Sequence, residues 1–398
     1  MVLDICVCIL VFLVGFNLKH FFSGFSRKDK KILTWLFFYH FTVAGVFHFY
    51  TSSFGGDALY YWSEPKNMSL MEVVGLIKRG SATGSIYLIN YVPSKLLQLS
   101  FFTGNMLYAL VGYVGFIYLY KMVLHIFDNK FELSKIKLLS FSLIPWILFL
   151  PNLHFWSSGV GKDSILFACI MAFVYGLQNI RKRSILILLS IVVSFGIRPH
   201  ITLFLLIAFG IGFLLDGNLK SYQKIMISAV FIAGFVAIFD YVITFVQLES
   251  IESGAIEQYA ATKASSLNQA TSGSGVDISN YSFPFKVFTF LYRPSFFDIN
   301  GILAIIASFE NLVLLLFSIK LLFRKPWQAF KRASAILKGM LIFFLLGTIS
   351  FSLILGNLGI MLRQKNMFMP FFLIFGIWVL YNYNLNKKKS IESATSHK

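Results

Sequence analysis

Long apolar runs alternate with short polar segments from one end of the chain to the other. Runs that approach the roughly 20 apolar residues needed to cross a bilayer predict membrane-spanning helices. Eleven are expected, near 2–18, 32–50, 105–126, 137–151, 164–180, 184–197, 201–216, 224–246, 302–323, 336–355 and 366–384. Several are short and are expected to tilt, bend or re-enter. Two connections are long, about 51–104 and 247–300. Within the first, Met68–Arg79 and Ser85–Leu99 read as amphipathic helices lying at the membrane interface. Within the second, the Ser/Ala/Gly-rich stretch Ser250–Ser279 has no long apolar run and is expected to be mobile, or ordered only by a ligand. No internal repeat is evident, which gives no support to an inverted-repeat transporter.

Composition sharpens this into an all-α polytopic membrane protein, a single integral domain over 1–398 with a tail at about 385–398. Hydrophobic residues make up 57% of the chain, charged residues only 13%, and the mean hydropathy is +0.74. A soluble fold has no interior large enough for that much apolar surface, whereas lipid solvates it. The first span is read as a retained helix rather than a signal peptide, because Asp4 stands where a basic segment belongs. The three cysteines, Cys6, Cys8 and Cys169, sit in apolar stretches with neither disulfide nor metal-ligand spacing.

The net charge is +18, but its distribution argues for membrane topology and against nucleic acid. Of the 35 basic residues, 24 fall in alternate loops and the C-terminal tail, among them Arg27, Lys28, Lys30, Lys31, Arg181, Lys182, Arg183, Arg324, Lys325, Lys331, Arg332, Lys387, Lys388 and Lys389. By the positive-inside rule that side is cytoplasmic. The N-terminus is then outside and the C-terminus inside a bacterial cytoplasmic membrane, with both long loops outside.

On this topology the unusual polar clusters fall on the outer face, where loops on a rigid scaffold assemble sites. In 55–62, two glycines permit a tight turn before Asp57, followed by Tyr60, Tyr61 and Trp62, rings that stack on sugars or anchor at headgroup level. In 152–164, Gly159 and Gly161 precede Lys162 and Asp163 at the start of an apolar helix, where backbone N–H groups and a lysine suit a phosphate. The spacing is not that of a nucleotide-binding loop. Arg198-Pro199-His200 lies between two apolar runs, where an ionisable group is costly unless paired, hydrated or functional. His200 has the chemistry of a base near neutral pH. Arg293, Arg363 and Lys365 complete a set of six outer cations with Lys162, Arg198 and His200. Their convergence would suit a pyrophosphate. Glu310, beside Asn311, and Asp240 are read as counter-charges to these arginines within spans, with a base as the alternative role of Glu310. His40, His48 and His154 are read as satisfied polar groups or interfacial residues rather than catalysts. Asp57 and Asp163 are isolated carboxylates with no His/Cys cluster at ligand spacing, so no metal and no cofactor is expected.

The order of these features resembles the Wzy-type polysaccharide repeat-unit polymerases, in particular their EpsG-like branch. The resemblance is carried by Gly55, Asp57 and Tyr61 as a G-x-D-x-x-x-Y element, by the turn Gly159–Asp163, by His200-Ile201-Thr202 before a span, and by Arg363 before the last span. The turn departs from the G-I-R-Q that the EpsG-like branch often carries. The resemblance implies a GT-C-like fold and extracytoplasmic glycosyl transfer. Donor and acceptor would be glycans linked to undecaprenyl pyrophosphate, with a flippase or chain-length regulator as accompanying proteins. Arg198, Arg293, Arg363 and Lys162 would hold the pyrophosphate, and His200 or Asp57 would take the acceptor proton. Lys365, Asp163, Tyr60, Tyr61, Trp62 and Glu310 would line the substrate site. Alternatives of the same chemistry are a single-sugar transferase or glycan ligase using a lipid-phosphate donor. Alternatives of other classes are a transporter or flippase and a non-catalytic membrane scaffold.

Overall fold

The computed structural model describes residues 1–127, 136–138, 141–217, 219–246 and 274–396, and is built almost wholly of α-helices. Of the sequence expectations, most of Ser250–Ser279 and Lys398 lie outside the described residues, and the side chains of Asp240, Lys387, Lys388 and Lys389 are not described. Five helices are long and apolar enough to cross a membrane: Val2–Phe21, Arg27–Phe54, Phe101–Ile126, Ile302–Leu322 and Ala335–Ile354. A sixth span forms if Leu358–Lys365 and Met369–Asn386 are taken together across their 58° bend. Each of these corresponds to an expected run, so the chain is a helical, multi-pass membrane protein.

The remaining expected spans differ for visible reasons. Residues 137–151 do not form one helix. Lys137–Leu138 pairs antiparallel with Phe141–Ser142, followed by a four-residue helix, a 3-10 turn and Pro151 at the start of the next helix. Proline removes a backbone donor and breaks the run twice, at Pro145 and Pro151. Lys162–Leu177 has 16 residues, about 24 Å at 1.5 Å per residue, short of a hydrocarbon core of about 30 Å. Nearly every one of its side chains is buried within the protein rather than facing lipid. Pro199–Leu214 is likewise a short apolar helix, whereas Ser221–Val246 runs for 26 residues over the expected 224–246.

The chain divides into two compact units. The first comprises Met1–His125 and Leu148–Thr202, the second Ile126–Ile147 and Leu203–Lys398. The sequence, read as a single domain, carries no composition shift at these boundaries.

In the first unit, Ser26 and Asp29 form a reciprocal capping box at the start of Arg27–Phe54, and the other oxygen of Asp29 accepts from the Tyr120 hydroxyl at 2.7 Å. The helix ends at Gly55 and Gly56, whose φ values of 79° and 136° are open to glycine but strained for other residues. That turn launches Asp57–Asn67, followed by Leu70–Lys78, Ala82–Asn90 and a π-helical turn at Tyr91–Leu96. Met71 in Leu70–Lys78 is exposed, as an interfacial helix requires. Gly159 admits the ring of Phe47: a Cβ there would sit 1.9 Å from it.

In the second unit, Ala335–Ile354 packs along the last helix, where Gly347 receives the ring of Phe368. The described end of the Ser/Ala/Gly-rich stretch is tied down. Gly275 bridges Asn357, Val276 N–H donates to the Gly356 carbonyl at 2.7 Å, and Leu358 N–H to that of Ser274 at 2.9 Å.

The orientation expected from loop charge predicts a labelling pattern. Cysteines replacing the exposed Tyr60 and Asp277 react with an impermeant thiol reagent applied outside, and one replacing the exposed Lys331 does not. The reverse pattern in intact cells would overturn the orientation.

Candidate functional site

The first unit gathers three clusters that are far apart in sequence. Helix Lys162–Leu177 presents Lys162 and Asp163 in its first turn. Arg198 stands in the bend between Ile180–Ile197 and Pro199–Leu214, and its guanidinium meets Asp163 Oδ1 at 3.0 Å with both side chains about nine-tenths buried. The bend is held by Arg198 N–H donating to the Ser194 carbonyl at 2.8 Å and by a 2.8 Å hydrogen bond between the Ser194 and Thr202 hydroxyls. Lys162 Nζ donates to Thr83 Oγ1 at 3.3 Å and lies 5.4 Å from the centre of the Tyr61 ring. His200 is half-buried and lies within the electrostatic reach of both Arg198 and Lys162.

The third cluster joins through Tyr61. Asp57 and Tyr61 are one helical turn apart on Asp57–Asn67 and so share a face. Asp57 and Tyr60 are exposed. Tyr61 and Trp62 are buried and serve as packing: the Trp62 ring fills the space beside Gly104, and its indole N–H donates to the Leu99 carbonyl at 3.2 Å. Of the three rings expected as sugar platforms, Tyr60 alone is open to a ligand in this form. The unit thus brings Lys162, Asp163, Arg198, His200, Tyr61 and the Asp57 helix face together, two cations with two carboxylates.

The turn before Lys162 is not shaped as an empty phosphate cradle. Val160 N–H donates to Asn105 Oδ1 at 2.8 Å, Ser164 Oγ donates to the Gly159 carbonyl at 2.6 Å, and Asp163 already places a negative charge at the helix start. The anion-binding capacity of this centre therefore lies in its side chains.

Arg293, Glu310, Arg363 and Lys365 belong to the second unit, and each is described there. Arg293 is engaged by a residue the sequence reading did not single out. Its Nε donates to Asp298 Oδ2 at 3.0 Å, its second fork nitrogen donates to Asp298 Oδ1, and Nη1 meets the Tyr281 hydroxyl at 3.4 Å. Ser295 N–H and Oγ close the same carboxylate into a capping box. Lys365 is fully buried. Its ammonium donates to the Leu291 carbonyl at 3.1 Å and to Asn311 Oδ1, with Glu310 close enough to interact. Asn311 in turn donates to the Pro294 carbonyl at 2.8 Å. The counter-charge role expected of Glu310 reaches Lys365. Arg363 is half-buried on Leu358–Lys365, which Asn357 caps through Ile360 N–H at 3.2 Å.

One buried pair escaped the sequence reading. His40 and His154, 114 residues apart, face each other through their Nδ1 atoms at 2.9 Å, both completely buried. His154 Nε2 meets the Leu148 carbonyl at 2.7 Å, and Phe116 stacks on its ring at 4.0 Å. Only their occurrence inside or beside apolar runs distinguished them. Among the described residues no cluster of three or more His, Cys, Asp or Glu side chains is placed to hold a metal ion. In comparisons with known proteins, no family model, no curated protein and no solved structure matches this chain.

Two measurements check these pairings. Arg198→Ala leaves Asp163 buried without its counter-ion and should cost roughly 3–5 kcal/mol. The double variant Arg198→Gln with Asp163→Asn removes both charges and should cost clearly less in thermal unfolding in detergent. Equal losses would refute the pairing. Separately, the hydrogen bonds from Arg293 hold the Asp298 carboxyl at about 2, below its ordinary 3.8. The folded state thus favours the charged form, whose contribution is complete above the ordinary value and fades as pH falls through about 2. Asp298→Asn should flatten the acid limb of the stability profile across this window, and an unchanged limb would refute the assignment.

Proposed function

We propose that this chain is an extracytoplasmic membrane glycosyltransferase that polymerises undecaprenyl-pyrophosphate-linked repeat units into a surface polysaccharide. A GT-C-like arrangement with the N-terminus outside is part of the proposal. The observation that carries it is the meeting of Lys162, Asp163, Arg198, His200 and the Asp57–Tyr61 helix face in one centre of a membrane protein. The order of sequence motifs shared with the Wzy-type polymerases supports the same reading.

In this mechanism Lys162 and Arg198 contact the donor pyrophosphate, with Asp163 holding Arg198 in place. The acceptor hydroxyl attacks the anomeric carbon of the donor glycan. The bond from that carbon to the pyrophosphate oxygen breaks, and its electron pair leaves with undecaprenyl pyrophosphate. The acceptor proton passes to His200 or Asp57. Stabilisation of the departing charge by two cations supplies most of the rate, because a pyrophosphate departs without being protonated. Tyr60 is the ring available to a sugar face. Arg293 and Lys365, already engaged, act as supports of the late loop rather than as ligands.

The test is elongation of a lipid-linked repeat unit by purified protein in liposomes. Lys162→Ala and Arg198→Gln should insert normally and lose about a hundredfold or more in rate, with Arg198→Lys failing to restore it fully. His200→Ala should slow elongation by about 10²–10⁴-fold while donor still binds, if the imidazole is the base. Elongation should persist in EDTA. Normal elongation by both Lys162→Ala and Arg198→Gln would overturn the proposal. Transfer from a lipid monophosphate donor, without elongation, would assign the chain to single-sugar transfer instead.

A further inference from the structure

A second cationic site lies in the second unit and uses none of the residues placed in the glycosyl-transfer centre. A cleft of about 420 Å³ opens between the short helix Pro326–Arg332 and the last helix at Val379–Asn386. Arg324, Lys325 and Arg332 line it with Asn382, Tyr383 and Asn386, and no carboxylate is among the lining residues. Among the described residues no carboxylate pairs with these cations, which are oriented by neutral groups: the Arg324 guanidinium lies 4.3 Å from the centre of the Tyr383 ring, and Arg332 Nη1 donates to Asn386 Oδ1 at 3.2 Å. Three cations facing one cavity repel one another, and an anion in the cavity removes that cost. The preference for basic residues in cytoplasmic loops explains their presence in this segment but not their grouping around a cavity.

The surroundings identify the kind of anion. Leu322 and Phe323 immediately precede Arg324 and are 73% and 78% exposed, forming an apolar lip at the end of a membrane-spanning helix. Trp327 is 65% exposed and stacks on Phe330, as side chains at headgroup level do. A ligand that fits has a phosphate for the cleft and an acyl chain for the lip. We propose that this cleft binds the headgroup of an anionic glycerophospholipid on the face that loop charge marks as cytoplasmic. The proposal does not depend on glycosyl transfer.

Native mass spectrometry of the full chain, released from micelles containing phosphatidylglycerol, cardiolipin or phosphatidylcholine, tests it. The protein should retain the two anionic lipids and not phosphatidylcholine. Arg324→Gln with Arg332→Gln should weaken retention by about tenfold, while Lys28→Gln with Lys31→Gln, in another basic loop, should leave it unchanged. Equal weakening by the two pairs would mean non-specific attraction and would overturn the site. Inorganic phosphate or glycerol phosphate displacing the lipids at similar concentration would identify a soluble phosphate as the ligand and overturn the lipid assignment. Asn386→Leu keeps all three cations and checks the result if the arginine pair unfolds. Weakened retention there supports the site, and full retention counts against it.

Discussion

A cation set among apolar helices must find an opposite charge or a group of oxygen atoms within hydrogen-bond reach, because neither lipid nor packed side chains can replace its hydration. This constraint accounts for the geometry around three basic residues, two buried and one half-buried. Arg198 meets Asp163, Arg293 meets Asp298, and Lys365 meets Asn311 and the Leu291 carbonyl beside Glu310. In each case the partner comes with its own supports: a helix first turn, a capping box, or an asparagine that also grips the Pro294 carbonyl. These polar knots fix where bends occur in a protein whose apolar contacts are abundant and unselective. The short helices and the bends are therefore part of the same solution as the charges.

Much of the scaffold was legible in the sequence because continuous apolar runs have one economical solution in a bilayer. Arg27–Phe54, Phe101–Ile126 and Ile302–Leu322 all appear where unbroken runs stand. The stretch 137–151 failed because hydropathy counts Pro145 and Pro151 as tolerable, whereas each removes a backbone donor. Lys162–Leu177 is as apolar as a true span but buries its surface against protein, a distinction that composition does not carry. The site was partly legible for the opposite reason: Lys162, Arg198 and His200 are conspicuous beside apolar runs. What could not be read was pairing. Asp298 sits only five residues from Arg293, yet nothing in the sequence marks it as that arginine's partner. Tyr61 and Trp62 looked interchangeable with Tyr60 until packing buried two of the three.

Glycine supplies the counterpart to these knots. A Cβ at Gly112 would lie 1.9 Å from the Ser157 carbonyl oxygen, and one at Gly104 would lie 2.7 Å from the Trp62 ring. Helices in lipid gain most from close approach of their backbones, since burial from water contributes little there. Gly159 and Phe47 apply the same rule one turn from Asp163. Gly159 is committed to that packing, and recognition of an anion falls to Lys162 and Arg198.

The path of the chain between its two units bears on how the protein is made. The first unit is interrupted by Ile126–Ile147 and is not complete until residue 202 has been synthesised. The piece that interrupts it belongs with residues that emerge later, from Leu203 onward. Folding that proceeds from the N-terminus during synthesis therefore completes the first unit around a segment whose own partners have not yet emerged. The insertion machinery must hold an early segment unpartnered while the ribosome delivers its neighbours, and a pause near residue 202 would let the charged centre close first.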